Sequence, residues 1–203
     1  MKMLLRSLLL SCLWVSLPAL SMMEFRANYG TLGSSPDLGA LYSGGLSLPA
    51  ASVNSGLGFD ALFIMPIVGL GGGLRYEALS SKFGSDLEIQ GNVSRTALLV
   101  NWRIINTLLY VGPIVSIGLS HGGRLKFNAS GTTVNDWVPG SASSTGIGLE
   151  VGAKLAGLLI GAEGGYQTLE WKDSKDEKNP SSATKTINMG GPYLKVSLGF
   201  ELL

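Results

Sequence analysis

Nine charged residues recur at alternate positions within otherwise apolar stretches: Asp60, Arg75, Glu77, Arg95, Glu150, Lys154, Glu163, Lys195 and Glu201. Four are positive and five are negative. On one shared face such a set could relay protons, pass ions, gate a path, or neutralise itself pairwise. An unpaired buried charge costs several kcal/mol even after relaxation, so a buried set must pair or hold water. The other chemically active residues are few. His121 is the only histidine, and its neighbour Ser120 is the nearest serine. Adjacent residues on a strand point to opposite faces, so these two cannot form the serine–histidine dyad of a hydrolase. Only partners from other strands are left for it. One histidine cannot build a metal site, and no cofactor motif is present. Cys12 is the only cysteine.

The elements that carry these residues follow from composition and period. Glycine contributes 29 of 203 residues and charged residues 14%, against about 7% and about 25% in ordinary soluble domains. Mean hydropathy is +0.31. The first 21 residues read as a signal peptide: Lys2 and Arg6, an apolar core from Leu8 to Leu17, Pro18, and the small-residue site Ala19-Leu20-Ser21. Leu10-Ser11-Cys12 loosely matches a lipid-attachment box. That reading would leave Leu13-Trp14-Val15 in the mature chain. Removal of the leader takes Cys12 with it and leaves 15 − 2 = 13 basic against 14 acidic residues. A near-neutral chain gives no electrostatic case for nucleic acid.

Beyond residue 21 the recurring signal has period two, which is that of strands. Apolar residues alternate with Gly, Ser or charged ones in eight segments. Examples are Leu57-Phe59-Ala61-Phe63 and Leu109-Val111-Val115-Ile117-Leu119, ending with Leu194-Val196-Leu198-Phe200-Leu202. No apolar run reaches the ~18 residues of a membrane helix, whereas about 9–11 residues suffice for a tilted strand. The gaps sort by length. Long ones (33–54, 82–92, 121–143, 172–185) alternate with short ones (66–68, 103–107, 156–157). This predicts an all-β chain over 22–203: one eight-stranded antiparallel transmembrane up-and-down β-barrel, with long loops on one side. Its edges must close, because open backbone groups would be unpaired in hydrocarbon. The apolar face is expected in lipid, and the glycine-and-charge face in a narrow lumen that the nine charges fill.

Residues 56–79 align on 146–169 with five identities in 24, two hairpins with one face pattern. Phe63, Trp102, Tyr110 and Phe200 are expected as an aromatic girdle at the short-turn side. Tyr76, Tyr166 and Trp171 are expected at the long-loop side. Pro113 and Pro192 fall inside strands, so a bulge or an interrupted ladder is expected at each. Within 121–143, residues 124–129 and 132–137 predict an outer hairpin. Lys172–Lys178 reads as a solvated loop tip, and Trp137 and Tyr42 as outer-loop aromatics open to contacts.

With these segments the chain resembles the small eight-stranded outer-membrane barrels of the OmpA, OmpX and OmpW type. The last strand, Tyr193, Leu194, Val196, Leu198 and Phe200, is similar to the C-terminal assembly signal of that group, although Glu201, Leu202 and Leu203 follow the aromatic. The resemblance implies a bacterial outer-membrane location and a monomer. Its partners would be outer-membrane lipid, lipopolysaccharide and the barrel-assembly machinery. It implies a structural or surface-interaction role, with two alternatives: a narrow channel for small, even apolar, solutes, and a lipid-modifying enzyme. The histidine–serine motif of outer-membrane lipid A deacylases is not visible.

Overall fold

A computed structural model describes residues 22–34, 41, 52–84 and 87–202. The expected leader with Cys12, most of the first long loop with Tyr42, and Leu203 lie outside the described residues. Among the described residues eleven strands follow one another: β1 (Met22–Ser34), β2 (Ser52–Ile64), β3 (Leu70–Phe83), β4 (Leu87–Trp102), β5 (Ile105–Asn106), β6 (Leu109–Ala129), β7 (Thr132–Val138), β8 (Ser141–Leu155), β9 (Leu158–Asp176), β10 (Lys185–Asn188) and β11 (Gly191–Leu202). All neighbours are antiparallel. Eight of the strands close a ring in the order β1-β2-β3-β4-β6-β8-β9-β11, and β11 pairs back onto β1 from Met23↔Leu202 to Leu32↔Tyr193. Closure leaves no lipid-facing edge. The tight turns and the ends of β1 and β11 share one rim, called the inner end below. The opposite rim is the outer end.

Two of the expected long loops, 82–92 and 121–143, are largely strand, and a third, 172–185, is strand in part. β3 runs to Phe83 and β4 begins at Leu87. β6 runs to Ala129, β7 and β8 follow, and β9 runs through Lys172 to Asp176. The expected outer hairpin is present, with Leu125↔Trp137 paired and Ser130 and Gly131 both at positive φ. Two successive positive-φ residues match the right-handed twist of the flanking strands. At ~3.3 Å per residue a strand such as β6 is far longer than a bilayer needs. The barrel wall therefore projects well beyond the membrane on the outer side.

The outer half reverses the polarity of the inner half. Near the inner end Leu74, Leu98, Val115, Val151, Ile160 and Val196 point outward and are exposed, while charges point inward. Beyond Tyr29, Tyr76 and Tyr166, apolar side chains turn inward: Leu79, Ile89, Val93, Leu125, Phe127, Trp137, Leu169 and Trp171 form one buried cluster. Water replaces lipid outside the wall there, so the apolar face belongs inside. The expectation of a glycine-and-charge face along the whole interior is thus corrected. A second apolar cluster, Leu62, Ile64, Leu99 and Ile114, also lies inside.

On β6 a bulge makes this reversal. Thr96 pairs with Ser120 and Ala97 with Gly118, so Leu119 is extra, and both Leu119 and Ser120 are exposed. Even-numbered residues up to Gly118 face inward; after the bulge His121, Leu125 and Phe127 do. A bulge of one residue changes the parity of everything beyond it.

Of the two outcomes expected at Pro113 and Pro192, the structure shows the interrupted ladder, on one side of each strand, and no bulge. Pro113 pairs with Leu149, and Pro192 with Tyr166, in unbroken register. Each proline stands one residue past the last pair on its strand's other side, Asn101↔Ile114 and Leu32↔Tyr193. A ladder that has ended needs no donor, so each proline occupies a local edge.

Candidate functional site

The alternation of each strand aims its polar residues at the barrel axis, where they join into one column. At the inner end Lys154 Nζ lies 2.7 Å from Glu201 and 3.6 Å from Glu24. Arg103 grips Glu24 with both terminal nitrogens, at 2.5 and 2.7 Å, and donates Nε to Glu150 at 3.0 Å. Glu150 also accepts from Arg26 at 2.9 Å and from Asn101 at 2.5 Å. Arg26 lies 3.6 Å from Asp60. Arg75 forks between Asp60, at 2.8 Å from Nε and from Nη2, and Glu163, at 2.9 and 2.6 Å. Lys195 stands 3.9 Å from Glu163 and 2.5 Å from Glu77. Glu77 pairs with Arg95, which donates to Ser144 at 3.2 Å and to Ser116 at 3.4 Å.

All nine charges singled out in the sequence lie in this column. Three more complete it: Glu24, Arg26 and Arg103, all buried. The column then holds Glu24, Asp60, Glu77, Glu150, Glu163 and Glu201 against Arg26, Arg75, Arg95, Arg103, Lys154 and Lys195. Six charges of each sign alternate along it. Arg75 and Arg103 hold carboxylates bidentately, the arrangement in which a buried pair best offsets its desolvation. Period two was the signal for the missing members: Glu24 and Arg26 share the phase of Asn28, and Arg103 that of Arg95 and Asn101.

Small residues make room for the large ones. Tyr110 lies inside, with 1% of its surface exposed and the Arg103 guanidinium 4.1 Å above its ring. A methyl at Gly152 would fall 2.3 Å from Tyr110 Cζ, and one at Gly161 2.2 Å from its hydroxyl. This corrects its placement in the girdle. Trp171 is corrected likewise: it is fully buried in the outer apolar cluster, against Gly123. Trp137 is buried there too, so it offers no contact surface. Phe63, Tyr76, Trp102, Tyr166 and Phe200 are exposed on the outer wall. On β11, Leu194, Val196, Leu198 and Phe200 share that wall, whereas Tyr193 points inward beneath Lys195, 4.5 Å from its ring.

No family model and no curated protein matches the chain. Solved structures do match it. Ail, the attachment invasion locus protein of Yersinia pestis, solved with the heparin analogue sucrose octasulfate, aligns with a TM-score of 0.50 and 12% identity over 90% of this chain and 99% of Ail. A major outer membrane protein of Thermus thermophilus aligns with a TM-score of 0.50 and 9% identity, over 89% and 99%. The fold is that of a small outer-membrane β-barrel. The outer membrane protein OprG from Pseudomonas aeruginosa aligns at 0.45 with 13% identity, over 90% and 96%.

Within this barrel His121 does find a serine from another strand. Its Nε2 lies 2.8 Å from Ser144 Oγ, at the top of the ion-pair column. Ser144 is buried, and Arg95 holds the same hydroxyl. The pair caps the column. A second polar cluster sits at the tip of the projecting sheet. Asp176 accepts from Asn135 at 2.6 Å, Asn179 at 2.7 Å, the Asp136 amide at 2.9 Å and the Lys178 amide at 3.0 Å. Burial pushes the Asp176 carboxyl up, but these donors, Asn179 foremost, outweigh it and hold it below the usual carboxylate range. Arg124 bridges Asp136 and Glu177 beside it, at 3.0 and 2.9 Å.

Proposed function

We propose that the chain is an integral protein of a bacterial outer membrane, a closed barrel that anchors a projecting sheet for contacts outside the cell. The observation that carries this reading is the unbroken column from Glu201 to Arg95, capped by the apolar cluster around Phe127 and Trp171. Charges fixed in pairs leave an eight-stranded lumen no free path. The exposed apolar wall supports placement in lipid, among outer-membrane lipid and lipopolysaccharide. The outward stripe of Leu194, Val196, Leu198 and Phe200 supports recognition by the barrel-assembly machinery. A monomer is sufficient for this role, since closure is complete within one chain. The burial of Ser144 beneath the cap favours a structural role for the His121–Ser144 contact over a catalytic one.

Planar-bilayer recording of the refolded protein tests this directly. The expected result is a bilayer with no stable conductance steps above baseline. Reproducible open levels would overturn the closed-lumen reading and favour the narrow channel.

A further inference from the structure

The inner-end turns are unusual in what they expose. The β2–β3 turn, Met65-Pro66-Ile67-Val68-Gly69, and the segment Ile104-Ile105-Asn106-Thr107-Leu108 contain no charged residue. Ile67 is 84% exposed, Leu108 73% and Ile104 69%, and Val68 and Ile105 are also exposed. A water-facing turn gains nothing from such residues, and Gly, Asn, Asp and Ser serve turns better.

The two segments form one rigid unit. Arg103 N donates to Gly69 O at 2.7 Å, Trp102 Nε1 to Val68 O at 3.2 Å, and Asn106 Nδ2 to Pro66 O at 3.3 Å. Their apolar side chains run without a break into the exposed wall through Leu70, Trp102 and Leu109. Backbone groups of the turns are thereby tied to each other and to side chains, which lowers the cost of leaving water.

We infer that these two turns form an apolar foot embedded in the inner leaflet of the membrane, a lipid surface being its partner. The inference rests on the membrane placement proposed above. The occupant follows from continuity with the lipid-facing wall and from the lack of any charge in the foot. Immersion of such a patch removes its apolar area from water, which is favourable.

The test uses the mature protein refolded in phosphatidylethanolamine–phosphatidylglycerol vesicles. Single cysteines are placed by Ile67→Cys and Ile104→Cys in the foot, Leu98→Cys in the wall and Lys178→Cys at the outer tip. Each carries an environment-sensitive fluorophore. The foot probes should be quenched by brominated lipid and protected from aqueous iodide, as the Leu98 probe is, while the Lys178 probe shows the reverse. Iodide quenching at positions 67 and 104 would overturn the foot. Protection from both quenchers there would also overturn it, in favour of a second protein copy. A Leu98 probe open to iodide would instead overturn the membrane placement itself. Leu108→Cys replaces either foot variant that does not refold.

Discussion

At the scale of single residues, parity outranks residue type. Leu109 and Val111 face outward, so Tyr110 between them must face the interior, where its ring takes the space that a Cβ at Gly152 or Gly161 would need. Gly152 and Gly161 are the complement of that ring. Gly152→Ala should destabilise the barrel by ~1–3 kcal/mol, the usual cost of overpacking. Gly164→Ala should be near neutral, because its nearest neighbours stand 3.7 and 3.8 Å from the added methyl. Urea unfolding in vesicles, followed by tryptophan emission, would read the difference. Equal effects at the two positions would contradict the packing of Tyr110. The same parity was legible for Tyr193 beside Leu194, and for Trp171 two residues after Leu169. Grouping aromatics by type hid it. What could not be read was which carboxylate meets which arginine, because cross-barrel partners such as Arg103 and Glu24 lie 79 residues apart in sequence.

At the scale of elements, eight strands and their order were legible from period two and from the alternation of gap lengths. The extent of the strands was not. Polar residues beyond Tyr76 and Ser120 read as loop, because the wall there faces water and its outward side chains are those of any soluble surface. β6 shows the difficulty best. Leu109 to Leu119 and Leu125 to Phe127 keep one odd-numbered apolar phase, yet the first group faces lipid and the second faces the core. The bulge at Leu119 reconciles them. Deleting Leu119 should leave both halves folded, since Gly118 and Ser120 already pair with consecutive residues of β4. Deleting Gly122 should turn Leu125 and Phe127 outward and dissolve the outer cluster. Heat-modified gel mobility, together with protease resistance of the outer hairpin, would check both. Tolerance of the second deletion would refute the parity account.

At the scale of the whole molecule, the barrel has two tiers stabilised by different means. The inner tier is held by lipid outside and ion pairs inside. The outer tier is held by water outside and an apolar core inside, with Asp176 as the knot of its tip. Because the folded Asp176 carboxyl lies below its unfolded value, its contribution is full above the unfolded value. It is lost as pH falls through the folded one. Acidification below the usual carboxylate range should therefore loosen the tip around Asn135 and Asn179 first. Proteolysis of the vesicle-embedded protein along a descending pH series should cut there while the membrane-protected strands stay intact. Asp176→Asn should bring the same cleavage at neutral pH. Simultaneous loss of both tiers would show that they are one cooperative unit.

The balanced column has an electrical consequence. Moving one elementary charge through a membrane potential is worth about 2.3 kcal/mol per 100 mV, which is how arginine-rich segments sense voltage. Here six positive and six negative groups are bound to one another along the axis. A field across the membrane pulls them equally in both directions and finds no net charge to displace. The interior is dense with ions and yet holds no net charge for a voltage to move.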